Sequence, residues 1–343
     1  GPTHPVDNNL GGFILDHAAR RDEIERTLVY PFADRYGIDG YRYDSVHLTA
    51  ASFWPDFIQD MNARYSPNPS VYRFDSMSEL LPWYLDRPFA QSQASYGVPG
   101  SSSPSQPQVS GGYDTSQITA IQDVFARGAS ARGLEHPTTS DTRRLTAAID
   151  NYEACSFRSQ VTDGNKDLRT LAALTYLLTN DRVPMIYSGN EYAIDYGPHF
   201  DASFGCPAHD PDVLGAGALF DGAVQTDRAD EFAQVRALIA LRTQPAISRG
   251  DMRWMSQGYN FIAYARTLAG ADTFIVTHSL ASGADRRVTH SLEQNVVCGP
   301  GATSLPVSSA RDIGVSIGSG VGSSAITNHG LVAGGYKAID TLR

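Results

Sequence analysis

The sequence predicts an α/β protein with parallel strands, followed by a smaller all-β domain, and two observations predict it. Near the start, a helix, a short strand and a second helix follow one another, which is the rhythm of βα units. Beyond about residue 250 the pattern changes to short alternating segments, such as Phe261-Ile-Ala-Tyr-Ala-Arg, Thr273-Phe-Ile-Val-Thr-His and Arg287-Val-Thr-His, separated by Gly, Ser and Asp turns. That alternation reads as antiparallel strands with one buried face.

The first helix rests on Ile24, Leu28, Phe32 and Tyr36, which recur at helical spacing and predict an apolar stripe. Gly37 stands where a left-handed C-terminal cap ends such a helix. The run Gly37-Ile-Asp-Gly-Tyr-Arg-Tyr-Asp-Ser-Val-His47 then reads as a strand over about 41–46. Strand side chains alternate, so Arg42 and Asp44 share one face while Tyr41, Tyr43 and Ser45 take the other. A guanidinium beside a carboxylate holds it ionised and aimed, as a carboxylate nucleophile attacking a sugar requires. The second helix, over 52–64, carries Phe53, Phe57 and Met61 on one stripe, with Thr49 or Ser52 as its cap.

Composition narrows the function classes. The chain has 343 residues, of which 41% are hydrophobic and 19% charged, as in an ordered protein that buries a large core. A net charge of -10 argues against a phosphate-binding surface, so nucleic acid is not an expected partner. No apolar stretch approaches the ~20 residues that span a bilayer, so no membrane partner is expected, and the opening residues carry no signal peptide. The three cysteines, Cys155, Cys206 and Cys298, have no metal-type spacing and read as buried or incidental.

The segment Gly37-Ile-Asp-Gly-Tyr-Arg-Tyr-Asp44 resembles the nucleophile-strand motif of the α-amylase family, family 13 of the glycoside hydrolases. Three later segments agree with it in order. Tyr113-Asp-Thr-Ser-Gln-Ile-Thr-Ala-Ile-Gln-Asp-Val-Phe-Ala126 resembles the sixth barrel strand and its helix. Ala148-Ile-Asp-Asn-Tyr-Glu153 resembles the seventh-strand motif, and Val183-Pro-Met-Ile-Tyr-Ser-Gly-Asn-Glu191 the eighth strand and its exit loop. The resemblance implies a partial (β/α)8 TIM-type barrel in which strands 4 to 8 are present, the chain starting just before the fourth. Strands are expected over about 41–46, 71–77, 112–116, 146–150 and 183–188, with helices near 52–64, 118–128 and 167–180. A helix over 229–244, with Phe232, Val235, Leu238 and Ile239 on its apolar stripe, closes the barrel portion. Residues 1–247 form that portion and 248–343 a C-terminal β-sandwich domain. The stretch 91–112 is polar and proline-rich and reads as a surface loop, and 299–335, rich in Gly and Ser, is expected to hold little structure.

The chemistry implied is retaining hydrolysis of an α-1,4-linked glucan or maltooligosaccharide by double displacement, which uses two carboxyl groups ~5–5.5 Å apart. By motif position Asp44 is the nucleophile and Arg42 its orienting arginine. Glu79, in Ser78-Glu-Leu, is the candidate acid/base, and Asp75 is its rival, because a one-residue slip changes the face a strand presents. Glu153 takes the place of the third, transition-state-stabilising carboxylate, where relatives carry aspartate, and Tyr152 that of a histidine. Asn151, Tyr152, His47 and Trp83 are candidate sugar contacts, the last as a stacking platform. Relatives usually hold a structural calcium, but the segment that supplies its ligands has no counterpart here, so no metal and no cofactor is assigned. The family resemblance implies an extracellular protein. Two alternatives accompany this reading: an impaired homologue kept for carbohydrate binding or as a scaffold, motivated by Tyr152 and Glu153, and an α-glucosidase or transglycosylase of the same family.

Overall fold

The structure, a computed structural model, describes residues 18–43, 53–65, 75–79, 111–113, 115–134, 145–151, 155–162, 164–194, 222–257, 261–269, 271, 273–279, 310–312, 315–317, 324–331 and 336–341. Contacts divide the chain into two compact units, Gly1–Thr115 with Ser140–Thr146, and Ser116–Thr139 with Ala147–Arg343.

In the first unit, helix α1 (Ala18–Ile24) passes through a π-helical turn (Glu25–Val29) into α2 (Tyr30–Tyr36). It stops as expected at Gly37, whose φ of 61° is open to glycine and whose N–H donates to Ala33 O at 2.9 Å. The stripe expected to face inward does not. Leu28, Phe32 and Tyr36 are 66%, 49% and 58% exposed, and the helix buries Glu25 and Ala33 instead, with Val29 and Tyr30 packed against the core. One residue is about 100° of helix rotation. The row 25, 29, 33 has the same spacing as the row 24, 28, 32, so periodicity alone does not choose between them. The contact surface does: Val29 and Tyr30 meet an aromatic cluster, and the Tyr41 hydroxyl donates to Val29 O at 2.9 Å.

That cluster joins strand β1 (Gly40–Tyr43) to helix α3 (Phe53–Tyr65). Tyr43, Phe53, Phe57, Ile58 and Met61 are all buried, with Tyr43 edge-on to Phe57 at 5.6 Å and Phe53 stacked on Phe57 at 5.4 Å. The stripe predicted for this helix is therefore its core face. Arg42 is exposed on the face of β1 opposite Tyr43, as strand alternation requires. The proposed caps Thr49 and Ser52 lie outside the described residues. Strands β2 (Asp75–Glu79), β3 (Gly111–Tyr113) and β4 (Leu145–Ala147) follow, and the pairs β1·β2, β2·β3 and β3·β4 are all parallel. The second strand is described over Asp75–Glu79, so Glu79 belongs to it instead of following it, and residues 71–74 of the predicted strand lie outside the described residues. Most of the predicted loop, 91–110, lies outside the described residues.

In the second unit, α4 (Thr115–Ile121) continues into a π-helical turn (Gln122–Ala126). The central element is α5 (Lys166–Thr179), buried at every position from Arg169 to Thr179. Leu171, Leu174, Tyr176 and Leu177 share one core with Phe125, Phe157, Val235 and Leu238. Strand β5 (Val183–Pro184) follows, and just past it the Met185 N–H donates to Ala147 O at 2.8 Å. Helices α6 (Gly222–Asp227), α7 (Ala229–Arg242) and α8 (Pro245–Arg249) come next. On α7, Val235 and Leu238 are buried as expected, whereas Ile239 is 45% exposed.

Strand β6 begins one residue after Gly250. A Cβ there would stand 2.2 Å from Ala246 O and 2.6 Å from Thr267 O, so the approach of α8 to the sheet admits only glycine. Strands β6 (Asp251–Gln257), β7 (Phe261–Thr267) and β8 (Thr273–Ser279) form an antiparallel meander. The stretch 299–335, expected to hold little structure, contains β9 (Ala310–Asp312), β10 (Val315–Ile317) and β11 (Ser324–Leu331). Nor is the sheet wholly antiparallel, because the last strand, β12 (Tyr336–Thr341), pairs with β8 in parallel. Alternation within a strand reports one buried face, not the direction of its neighbour.

Two arginines hold the α5 end, half-buried Arg242 from α7 and buried Arg266 from β7. Arg242 donates from Nη1 to Leu178 O and Asn180 O and from Nη2 to Arg182 O, while Arg266 donates from Nη1 to Thr179 O and from Nη2 to Ile247 O and Gly250 O. They satisfy carbonyls that a helix C-terminus leaves without partners, and their charge opposes its dipole. The Tyr264 hydroxyl reaches Thr179 Oγ1 at 2.6 Å, and burial raises its pKa. Met252, Ile262, Tyr264 and Val276 belong to the same core as α5, so helices and sheet in this unit pack as one body.

Candidate active site

In the first unit the C-terminal ends of the parallel strands define one edge, and the register places the candidates along it. Tyr43 is level with Ser78, and Arg42 with Met77. One step further, Glu79 is level with Tyr113, which in turn is level with Thr146. Asp75 pairs with Gly40 at the other end of β2. At ~3.3 Å per residue, Asp75 and Glu79 stand ~13 Å apart along the strand. Glu79, not its rival, is at the end where βα barrels gather catalytic groups. Asp44 follows Tyr43 in the chain but lies outside the described residues, as do His47 and Trp83.

In the second unit the exit of β4 carries a buried carboxylate that sequence reasoning passed over. Asp150 is 6% exposed, and its Oδ1 accepts the Phe157 N–H at 2.6 Å, closing the chain on itself across seven residues. Its Oδ2 accepts from Asn190 Nδ2 at 2.9 Å, and Asn190 is 2% exposed. Asn190 belongs to the turn after β5, which is shaped by Gly189 at φ 100° and Ala193 at φ 51° and braced by the Gly189 N–H donating to Glu191 Oε2 at 2.8 Å. Cys155 O accepts from both Gln122 Nε2, at 3.0 Å, and Gln160 Nε2, at 2.8 Å. Cys155 is also disulfide-bonded, which corrects its reading as incidental. Asn151 is half-buried between these anchors, while Tyr152 and Glu153 lie outside the described residues. Asp150 and Asn190 sit within the two quoted motifs. Their pairing spans forty residues of chain, so no local pattern exposed it.

Two further features bear on ligands. Among the described residues, Asp22, Glu25 and Asp60 bring carboxylate oxygens within 4.8 Å of one another. Arg21 stands among them, with Nε 3.6 Å from Glu25 Oε1 and 3.3 Å from Asp60 Oδ2, so the cluster carries its own cation. Burial, opposed by the Tyr30 hydroxyl, raises the Glu25 pKa. An apolar groove of about 410 Å³ is lined by Leu178, Pro184, Ile186, Ile239, Arg242 and Thr243. It lies beside the start of β5, whereas Asn190 follows that strand's exit, and it holds no carboxylate. No helix among the described residues is long and apolar enough to cross a membrane.

No family model and no curated protein matches the sequence. Solved structures do match the fold. An α-amylase from Geobacillus thermoleovorans, complexed with acarbose, is 20% identical, with 74% of this chain and 52% of that one covered at a TM-score of 0.52. The cyclomaltodextrin glucanotransferase CldA is 19% identical over 74% of this chain and 46% of that one, at a TM-score of 0.54. A cyclic α-maltosyl-(1→6)-maltose hydrolase from Arthrobacter globiformis is 16% identical, covering 74% and 51% at a TM-score of 0.52. These are α-amylase-family enzymes, so the likeness implied by the four sequence motifs is also a likeness of fold. The chain spans about half the length of the structures it matches.

Proposed function

We propose that the chain is the part of an α-amylase-type retaining glycosidase that carries the reacting carboxylates, acting on α-1,4-linked glucans or maltooligosaccharides. In this reading β1 to β5 are barrel strands four to eight and the C-terminal sheet belongs to a sandwich domain. Asp44 is the nucleophile, Arg42 orients it, Glu79 is the acid and then the base, and Glu153 stabilises the oxocarbenium-like transition state. Asn151, Tyr152, His47 and Trp83 contact the sugar.

The register of β1 on β2 carries the proposal. Tyr43 is level with Ser78, and a carboxylate follows each of them in the chain, Asp44 and Glu79. Neighbouring strands lie ~4.8 Å apart, close to the ~5–5.5 Å that separates the carboxyl groups of a retaining pair. The fold likeness to enzymes solved with acarbose and maltose supports the substrate class. The disulfide at Cys155 supports an oxidising, extracellular location.

A second reading, a non-catalytic homologue that binds carbohydrate, is favoured by Asp150-Asn-Tyr-Glu153, where tyrosine and glutamate replace the histidine and aspartate of relatives. One experiment separates the two: release of reducing sugar from maltooligosaccharides by the wild type and by Asp44→Asn. The glycosidase reading expects activity that falls on the order of 10⁴-fold in the variant. Wild-type release no greater than that of the variant favours the binding protein.

A further inference from the structure

We infer that Asp150 and Asn190 are positioning residues for the reaction: together they hold Asn151, at the head of the stretch that leads in sequence to Glu153, against the turn that follows β5. The inference rests on the proposed role of Glu153 but is read from different residues. The segment leaves Asp150 and returns at Cys155, and both ends are fastened. At the first, one buried carboxylate accepts the Phe157 N–H at 2.6 Å and Asn190 Nδ2 at 2.9 Å. At the second, Cys155 O takes two glutamine side chains and the cysteine is disulfide-bonded. Asp150 Oδ1 alone would close the loop. Oδ2 adds a link across forty residues to the braced turn at Gly189–Glu191.

A buried carboxylate is costly unless its oxygens are satisfied, and here the amide of Asn190 and the Phe157 N–H share that task. The carboxylate also decides which way Asn190 points, since only its Nδ2 can face an acceptor, and Asn190 Oδ1 is left buried without a hydrogen-bond partner. The pair holds in spite of the cost of that unsatisfied oxygen. Its geometric effect is to fix the two strand exits against each other, and a misplacement of ~1 Å near reacting groups costs on the order of 100-fold in rate.

The test compares Asn190→Ala, Asn190→Asp and the reciprocal exchange Asp150→Asn with Asn190→Asp in the full chain. Hydrogen exchange is followed in peptides covering 151–157 and 166–179, alongside kcat and KM on a maltooligosaccharide per folded molecule. The pair as positioner predicts that Asn190→Ala accelerates exchange in 151–157 at least tenfold, leaves α5 unchanged, and lowers kcat roughly 10- to 100-fold with KM nearly constant. Asn190→Asp sets two carboxylates against each other and recovers activity only as acid protonates one of them. The reciprocal exchange restores both the protection and kcat at neutral pH, because an amide at 150 still accepts from Phe157 through Oδ1 and donates to the new carboxylate. Unchanged exchange in 151–157, or equal loosening of α5, overturns the inference, as does a faster segment with unchanged kcat. Glu153→Gln serves as the control. If it leaves activity intact, the proposed role of Glu153 fails while the exchange data still decide whether the pair holds the segment.

Discussion

Glu79 is level with Tyr113 across β2 and β3, whereas Asp75, on the same strand, is level with Gly40 of β1, so the two carboxylates of β2 stand at opposite strand ends. Period-two alternation puts residues four apart on the same face, so the choice between them is one of depth along the strand. Glu79→Gln is therefore expected to lower kcat on maltooligosaccharides by about 10²–10⁴-fold, the usual range for a lost general acid. The first step should be largely spared with a glycosyl fluoride, whose leaving group needs no proton. Asp75→Asn should stay within about 0.5 kcal/mol in stability, as for a substitution outside the special sites, and keep kcat. Equal loss in both variants would show that Asp75 takes part.

Arg242 supplies three carbonyls at the C-terminal end of α5, with Arg266 serving a fourth beside it. Replacing it with methionine keeps much of the stem packing but leaves Leu178, Asn180 and Arg182 short of a donor. The expected loss is about 3 kcal/mol in urea denaturation. Arg242→Lys should recover little, because one ammonium cannot match a planar fork aimed at three carbonyls. Burial, and then the charge of Arg266, brings the Arg242 pKa down to about 10. The unfolded chain therefore binds this proton more tightly, and the group's contribution to stability rises as pH climbs from about 10 toward the ordinary guanidinium value. Full recovery in the lysine variant would refute the cap.

Glu25 is buried at 3% exposure, and burial outweighs Arg21 in setting its pKa above the ordinary carboxylate value. An acid whose folded pKa is raised binds its proton more tightly when folded. Its contribution is thus fully present below the ordinary value of 4.5 and is lost as pH rises through the higher folded value. Glu25→Gln retains an acceptor for the Tyr30 hydroxyl and removes the buried charge. The variant should be more stable than the wild type at pH 7, and the difference should shrink at pH 4. A destabilised variant at pH 7 would show that the pair with Arg21 dominates.

The helix and strand rhythm was legible in sequence because each element announces itself locally. Gly37 ends α2 in the left-handed conformation expected of it, and Phe53, Phe57 and Met61 face the core as their spacing says. Leu28, Phe32 and Tyr36 show the limit of that reasoning. Two adjacent rows of one helix had the same spacing, and the aromatic cluster of β1 and α3 selected the row with Ala33. Among the candidate residues, Arg42 and Glu79 were proposed by motif, whereas Asp150 was read past because its partners, Phe157 and Asn190, come from other turns of the chain.

By itself the sequence determined the order of elements, the face of Arg42 opposite Tyr43, and the carboxylates worth testing, because alternation and capping depend on neighbours in the chain. Only the tertiary structure decided that Glu79 rather than Asp75 lies at the C-terminal end of β2, that β12 joins β8 in parallel, and that Asp150 is fastened to Asn190. Each of these is a matter of register or pairing between distant segments. Such choices are settled by which surfaces can be buried together with their polar groups satisfied, and local pattern carries no record of them.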